Sequence, residues 1–151
     1  MQGDKTLALC DRLCNVVAPF ISAPGNKNEC PLLKPALASL KKTAKAIGVS
    51  LKGVTSSWDG VFDSKANRKA IFNAKMIPNI PENKRNRKKT KRGRKRLYRP
   101  EIFEERFETI ERLFAWEDKF KRLLLRFERI SALHYGMKMI VYSLINLRHF
   151  A

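Results

Sequence analysis

Ten of the thirteen residues from 84 to 96 are Lys or Arg, and none of the thirteen carries a large apolar side chain. A segment of that composition repels itself and has nothing to bury, so it cannot form part of a packed core. It reads as a loop or tail-like insert, bounded as residues 83–99. Any core must be built from the residues before it and from a helical stretch after it, residues 100–149.

Enough apolar material remains for that core. The chain has 151 residues, the size of one ordinary domain, and 44% of them are apolar or aromatic. Its charge is lopsided, with 32 Lys and Arg against 14 Asp and Glu, for a net +18. Without the ten cations of the run it is still +8. Such an excess calls for a polyanionic partner. Nucleic acid leads, because neutralising phosphates releases condensed counterions. A ribosomal or RNA-packaging role fits the same number, and a polybasic membrane contact fits less well. The expected contacts are Lys84, Arg85, Arg87, Lys88, Lys89, Lys91, Arg92, Arg94, Lys95 and Arg96. They offer little means of reading bases, so they should meet backbone phosphates and be salt-sensitive.

Cys10, Cys14 and Cys30 are odd in number and lack further His or Cys at metal-ligand spacing. They read as reduced thiols in or near the core. No signal peptide is visible at the N-terminus. The most apolar stretch, residues 133–147, is interrupted by His134, Gly136, Lys138, Ser143 and Asn146. It is too short and too polar to span a bilayer. The expectation is a soluble, cytoplasmic protein with no membrane partner.

Periodicity outlines the elements. Residues 5–11 and 16–22 alternate as two strands, joined by a turn suited to Asp11 and Asn15. Residues 29–47 carry Leu32, Leu33, Leu37, Leu40, Ala44 and Ile47 near helical spacing, and Gly48 stops them. Residues 49–58 read as a strand ending at Asp59-Gly60. Asp63-Ser64 suits the cap of a short helix over 66–74. Residues 76–81, with two prolines, read as an edge strand. Pro100 opens a long helix with a stripe of Phe103, Phe107, Ile110 and Phe114, and a last helix covers 132–148. The order predicts an α/β protein, with a mixed sheet covered by helices.

Two carboxylates stand out. Asp59 falls at a strand end, where α/β sheets bind ligands. Glu111 lies at the border of the Phe107–Phe114 stripe, downstream of the cationic run. If the two converge, they can hold a divalent cation against a phosphodiester, and hard oxygen ligands favour magnesium or manganese. The plainer readings stay open beside this one. Asp59-Gly60 also reads as a turn, Glu111 as a surface acid, Asp63 as a helix cap, and His134 and Trp116 as packing residues.

Several separated blocks resemble one family. Ile110-Glu111-Arg112-Leu113-Phe114-Ala115-Trp116, the stretch 120–129, His134 and Ile145-Asn146-Leu147-Arg148 are similar to the C-terminal region of bacterial insertion-sequence DDE transposases, of the insertion-sequence-five type. Asp59-Gly60-Val61-Phe62-Asp63, Asn67-Arg68-Lys69-Ala70 and Ile77-Pro78-Asn79-Ile80 resemble that family's segment around its second catalytic Asp. Residues 5–28 fit as well. The resemblance implies a ribonuclease-H-like mixed sheet flanked by helices, with a three-carboxylate site dependent on Mg2+ or Mn2+. Asp59 matches the second Asp and Glu111 the Glu, both catalytic and metal-binding. Arg112, Lys119 and Arg122 match basic positions for DNA contact. In such enzymes water cleaves the element's end, and the freed 3′ hydroxyl attacks target DNA.

The chain departs from the family at its start. The family's first Asp lies on a first strand upstream of the hairpin, whereas Met1-Gln2-Gly3-Asp4 runs almost directly into the hairpin. Neither Asp4 nor Asp11 fits the absent role. The expectation is that residues 1–151 are a partial catalytic domain lacking its first strand. Such a truncated or split transposase binds element ends and target DNA, is inactive alone, and has an upstream-encoded N-terminal fragment as candidate partner. The alternative is a non-catalytic basic nucleic-acid-binding protein.

Overall fold

The computed structural model describes residues 4–83, 96–125 and 128–150. Nine of the ten cations of the basic run, Lys84, Arg85, Arg87, Lys88, Lys89, Lys91, Arg92, Arg94 and Lys95, lie outside the described residues. The protein is mixed α/β, with one antiparallel and one parallel pair of strands.

Strands β1 (Asp4–Cys10) and β2 (Val16–Pro24) form the expected hairpin, with Leu7 opposite Ile21 and Cys10 opposite Val16. Its turn is closed by Asp11. One carboxylate oxygen accepts the backbone N–H of Leu13 at 2.9 Å and of Asn15 at 2.8 Å. The other accepts the Asn15 side chain at 2.9 Å. Leu7 and Leu9 pack into one core while Ala8 and Cys10 pack into a second. The hairpin is therefore covered on both faces, as an inner part of a layered sheet would be.

The helix predicted over 29–47 starts as a single 3-10 turn, Cys30–Leu32, and continues as α1 (Leu33–Ala46). Leu33, Ala36, Leu37, Leu40 and Ala44 are buried, but Ile47 lies past the helix and is exposed. The strand predicted over 49–58 shrinks to β3 (Thr55–Ser57). A turn at 51–54 takes up the rest. It is held by Val54 N–H on Leu51 O at 3.2 Å and by Gly53, at φ +77, donating to Lys75 O at 2.8 Å. Helix α2 (Lys65–Asn73) is capped by Ser64, whose hydroxyl accepts from Asn67 N–H at 3.1 Å, and not by Asp63. Strand β4 (Ile77–Asn79) pairs parallel with β3, Thr55 opposite Ile77. Trp58, Phe62, Ile71, Met76 and Ile80 join the buried face of α1 in the first core.

The predicted long helix ends sooner than its apolar pattern does. It forms α3 (Pro100–Asp118), breaks at Phe120, and gives way to short α4 (Lys121–Leu124) and then α5 (Ser131–Leu147). The stripe is also turned. Thr109 and Leu113 face inward, while Phe107 is 58% and Phe114 41% exposed. Leu113, Leu123, Val141, Tyr142 and Ile145 form the second core with Ala8, Cys10, Phe20 and Trp116. A buried polar network crosses it. Lys138 donates to Glu117 at 2.6 Å and to Thr6 at 3.1 Å, and Tyr142 donates to Glu117 at 2.8 Å.

Both strand pairs contribute to the first core, yet among the described residues β1 pairs only with β2, and β3 only with β4. Each keeps an open edge. The three cysteines are free, with Cys14 buried. Among the described residues no helix is long and apolar enough to cross a membrane.

Candidate functional site

The blocks singled out in the sequence hold one another. Asn67 is buried, and its amide donates to the carbonyls of Cys30 at 3.0 Å and Phe62 at 3.2 Å. Arg68 donates to Asp63 and to Ile80 O, at 2.8 and 2.7 Å. Asn79, also buried, donates to Ser57 Oγ and Arg99 O and accepts Arg99 N–H at 2.8 Å. Thus the end of β3, the start of α2, β4 and the entry to α3 form one hydrogen-bonded unit. Asn146 does the same for α5, bonding Val16 N–H at 2.8 Å and Val16 O at 2.9 Å. The Arg148 guanidinium lies 4.3 Å from the Trp116 ring centre and donates to Leu13 O. These residues are structural.

Asp59 lies two residues past the end of β3 and is exposed. It caps the 3-10 turn Gly60–Phe62, its Oδ1 accepting Gly60 N–H at 2.5 Å. Asp59 is thus a turn residue, and the strand before it stops at Ser57, short of the expected end at residue 58. Its notable neighbour is Arg106 of α3. That guanidinium lies 5.0 Å from the Phe103 ring centre, and its buried Nε has no hydrogen-bond partner among the described residues. Burial pushes Arg106 below its ordinary value, and the Asp59 carboxylate and the Cys10 thiol act against that shift. Arg106 therefore feels the ends of both β1 and β3. The Cys10 thiol is itself pushed up to about 11 by burial, then by Cys14 and Asp11, so it stays protonated.

Glu111 is exposed, between Phe107 and Phe114. It lies about 200° round α3 from inward-facing Leu113 and about 140° from Arg106. Of the α3 side chains, Arg106 is near enough to feel the Asp59 charge, while Glu111 points elsewhere. The donor set does not make a magnesium site. Among the described residues no group of three or more His, Cys, Asp or Glu could hold a metal ion. The positive field of Arg106 at Asp59 also works against a divalent cation there, which needs further carboxylates.

Of the remaining expected DNA contacts, Arg112 and Lys119 are exposed at α3 and its C-terminal end. Arg122 is exposed on α4 and paired with Glu128. Arg96 is bound to Asp63 at 2.8 Å. The periodic pattern missed Arg106 and the Glu117–Lys138–Tyr142 network. One signal for the latter was present: Lys138 is the lone Lys or Arg in the apolar stretch 133–147, and a cation so placed needs a buried partner.

No protein family matches this chain, and no curated protein or solved structure matches it either.

Proposed function

We propose that this chain is part of the catalytic domain of an insertion-sequence DDE transposase, and that it binds DNA but does not cleave it by itself. The observation that carries this reading is Asp59 just past the end of β3, backed by the bonded unit of Asp63, Asn67, Arg68 and Asn79, with both strand pairs keeping open edges. The element order of hairpin, helix, strand, helix, strand and helix is the one the family resemblance implies after a first strand. A strand laid between β1 and β3 would join the two pairs into one ribonuclease-H-like mixed sheet. In this reading that strand and the first Asp come from an upstream-encoded fragment. Asp59 and Glu111 are the second and third carboxylates, magnesium joins only the completed site, and the cationic run holds the phosphates.

The test mixes purified chain with labelled inverted-repeat DNA ends and Mg2+, with and without the upstream fragment. Binding without cleavage is expected from the chain alone, and cleavage once the fragment is added. That cleavage should be lost in Asp59→Ala and Glu111→Ala. Full cleavage by either variant overturns the site assignment. A second reading, a non-catalytic basic nucleic-acid-binding protein, is favoured by the Arg106 charge acting on Asp59. It predicts the same binding and no cleavage with any complement.

A further inference from the structure

A groove of about 660 Å³ opens beside β4, within the size range of ligand pockets, roughly 300–1,000 Å³. Its floor and walls are apolar: Phe72, Met76, Ile77 and Leu97. Four cations line it, Lys52, Arg68, Lys75 and Arg96, and no acid does. Arg68 and Arg96 are already ion-paired with Asp63. Lys52 and Lys75 are exposed, and their ammonium groups are the ones best placed to meet a new anion. Phe72 is 72% exposed and Leu97 67%. Exposing a phenylalanine to that extent costs free energy in water, and the ring presents a π-face to whatever enters.

We infer that this groove holds a stretch of single-stranded nucleic acid, with a base stacked on Phe72 and phosphates on Lys52 and Lys75. The inference rests on the proposed nucleic-acid partner and adds that part of it is unpaired. A cationic groove with an exposed aromatic platform is the arrangement that binds single strands without reading sequence. An acidic amphipathic peptide also suits the charge. An aromatic ring as the most exposed wall favours a flat base over an aliphatic side chain. Arg96 is the last cation of the run in sequence, and Leu97 follows it.

The backbone at Lys75 supports the rim. Lys75 adopts φ +62, just past the end of α2, where a glycine would be relaxed. Its N–H donates to Phe72 O at 2.8 Å and its carbonyl accepts Gly53 N–H at 2.8 Å. That turn fixes the lysine next to Phe72 and close to the loop that carries Lys52.

The experiment compares a labelled oligothymidylate with a duplex of equal length, by fluorescence anisotropy across a salt series. Wild type, Phe72→Ala, Phe72→Trp and Lys75→Gly are measured, with circular dichroism confirming that each is folded. Phe72→Ala should weaken single-strand binding by roughly tenfold and leave duplex affinity unchanged, and Phe72→Trp should keep it. Lys75→Gly relaxes the backbone, so a loss of affinity there cannot come from misfolding. It should also flatten the single-strand salt dependence by about 0.7, one phosphate contact. Equal effects of Phe72→Ala on both forms, or none on either, overturn the inference while salt-dependent duplex binding leaves the parent reading standing. No binding to either form removes both. Polyglutamate that displaces the oligonucleotide with the same dependence on Phe72 replaces the nucleic acid with an acidic peptide and overturns the inference.

Discussion

The Asp63 side chain is only 3% exposed, and both its oxygens are used. Oδ1 accepts from Arg68 Nε and from an Arg96 terminal nitrogen, each at 2.8 Å, and Oδ2 accepts Asn83 N–H at 3.0 Å. Burial alone would raise this carboxyl. The Asn83 N–H and the two guanidiniums outweigh burial and hold it below the ordinary carboxylate range. Asn83 and Arg96 flank residues 84–95, so one carboxylate ties the two ends of the cationic run to the fold. Asp63→Asn is expected to cost about 3 kcal/mol in urea unfolding at pH 7, because it leaves two guanidiniums without their anion. The folded carboxyl titrates below the unfolded one, so its contribution is complete above the unfolded value, about 3.9. It is lost as pH falls through the folded value. The gap between wild type and variant should therefore close in acid, and a gap that stays constant to about pH 2 rules the assignment out. The sequence reading made Asp63 a helix cap. A cap is a local matter of three residues, which is why Ser64 beside it was legible. A partner 33 residues away, beyond a charged run, leaves no periodic trace.

Side-chain amides tie several elements of this chain to one another. Asn146 is the clearest case, since its one amide satisfies both the N–H and the carbonyl of Val16, where β2 begins. Asn146→Ala strands a part-buried donor and acceptor together and should cost about 2 kcal/mol. Amide exchange at Val16 should speed up with it, and unchanged exchange there would show that water replaces the bond. Such pins explain what was readable at this scale. The hairpin and α1 are legible because their apolar spacing matches the faces they bury, and α2 because of its cap; α5 is legible as a helix but not in its face, since Leu133, Ile140, Leu144 and Leu147 are exposed while Lys138, Val141, Tyr142 and Ile145 are buried. The expected strand over 49–58 is cut short because Val49 and Leu51 alternate like a strand while Gly53 turns the chain. In α3 apolar residues cover more than one face, so spacing could not decide which face turns inward. Thr109, Leu113 and Arg106 settled it through contacts with β1 and α5 that lie far off in sequence. That choice left Glu111 and its flanking phenylalanines outside.

Across the whole molecule, a hairpin covered on both faces and a parallel pair share one core, yet the edges of β1 and β3 meet no strand among the described residues. Net charge and the run at 84–96 raise the expectation of a polyanionic partner from composition alone. The open edges were not legible that way, because an open edge belongs to backbone pairing and not to side-chain pattern. A strand joining them would be buried on both faces, so it should be a short, nearly continuous apolar run. An acidic residue at its end would meet the unpartnered Nε of Arg106, near the ends of β1 and β3. The proposed upstream segment, added as a peptide at about 100 times its Kd, should stabilise the chain by about 2.7 kcal/mol. In a thermal melt that is a rise in Tm of roughly 5–10 °C for a chain of this size. A central proline removes a ladder N–H and should abolish the rise. Changing the terminal Asp to Asn should reduce it in wild type but not in Arg106→Met. If the proline peptide stabilises as well as its parent, the peptide is binding somewhere other than between β1 and β3.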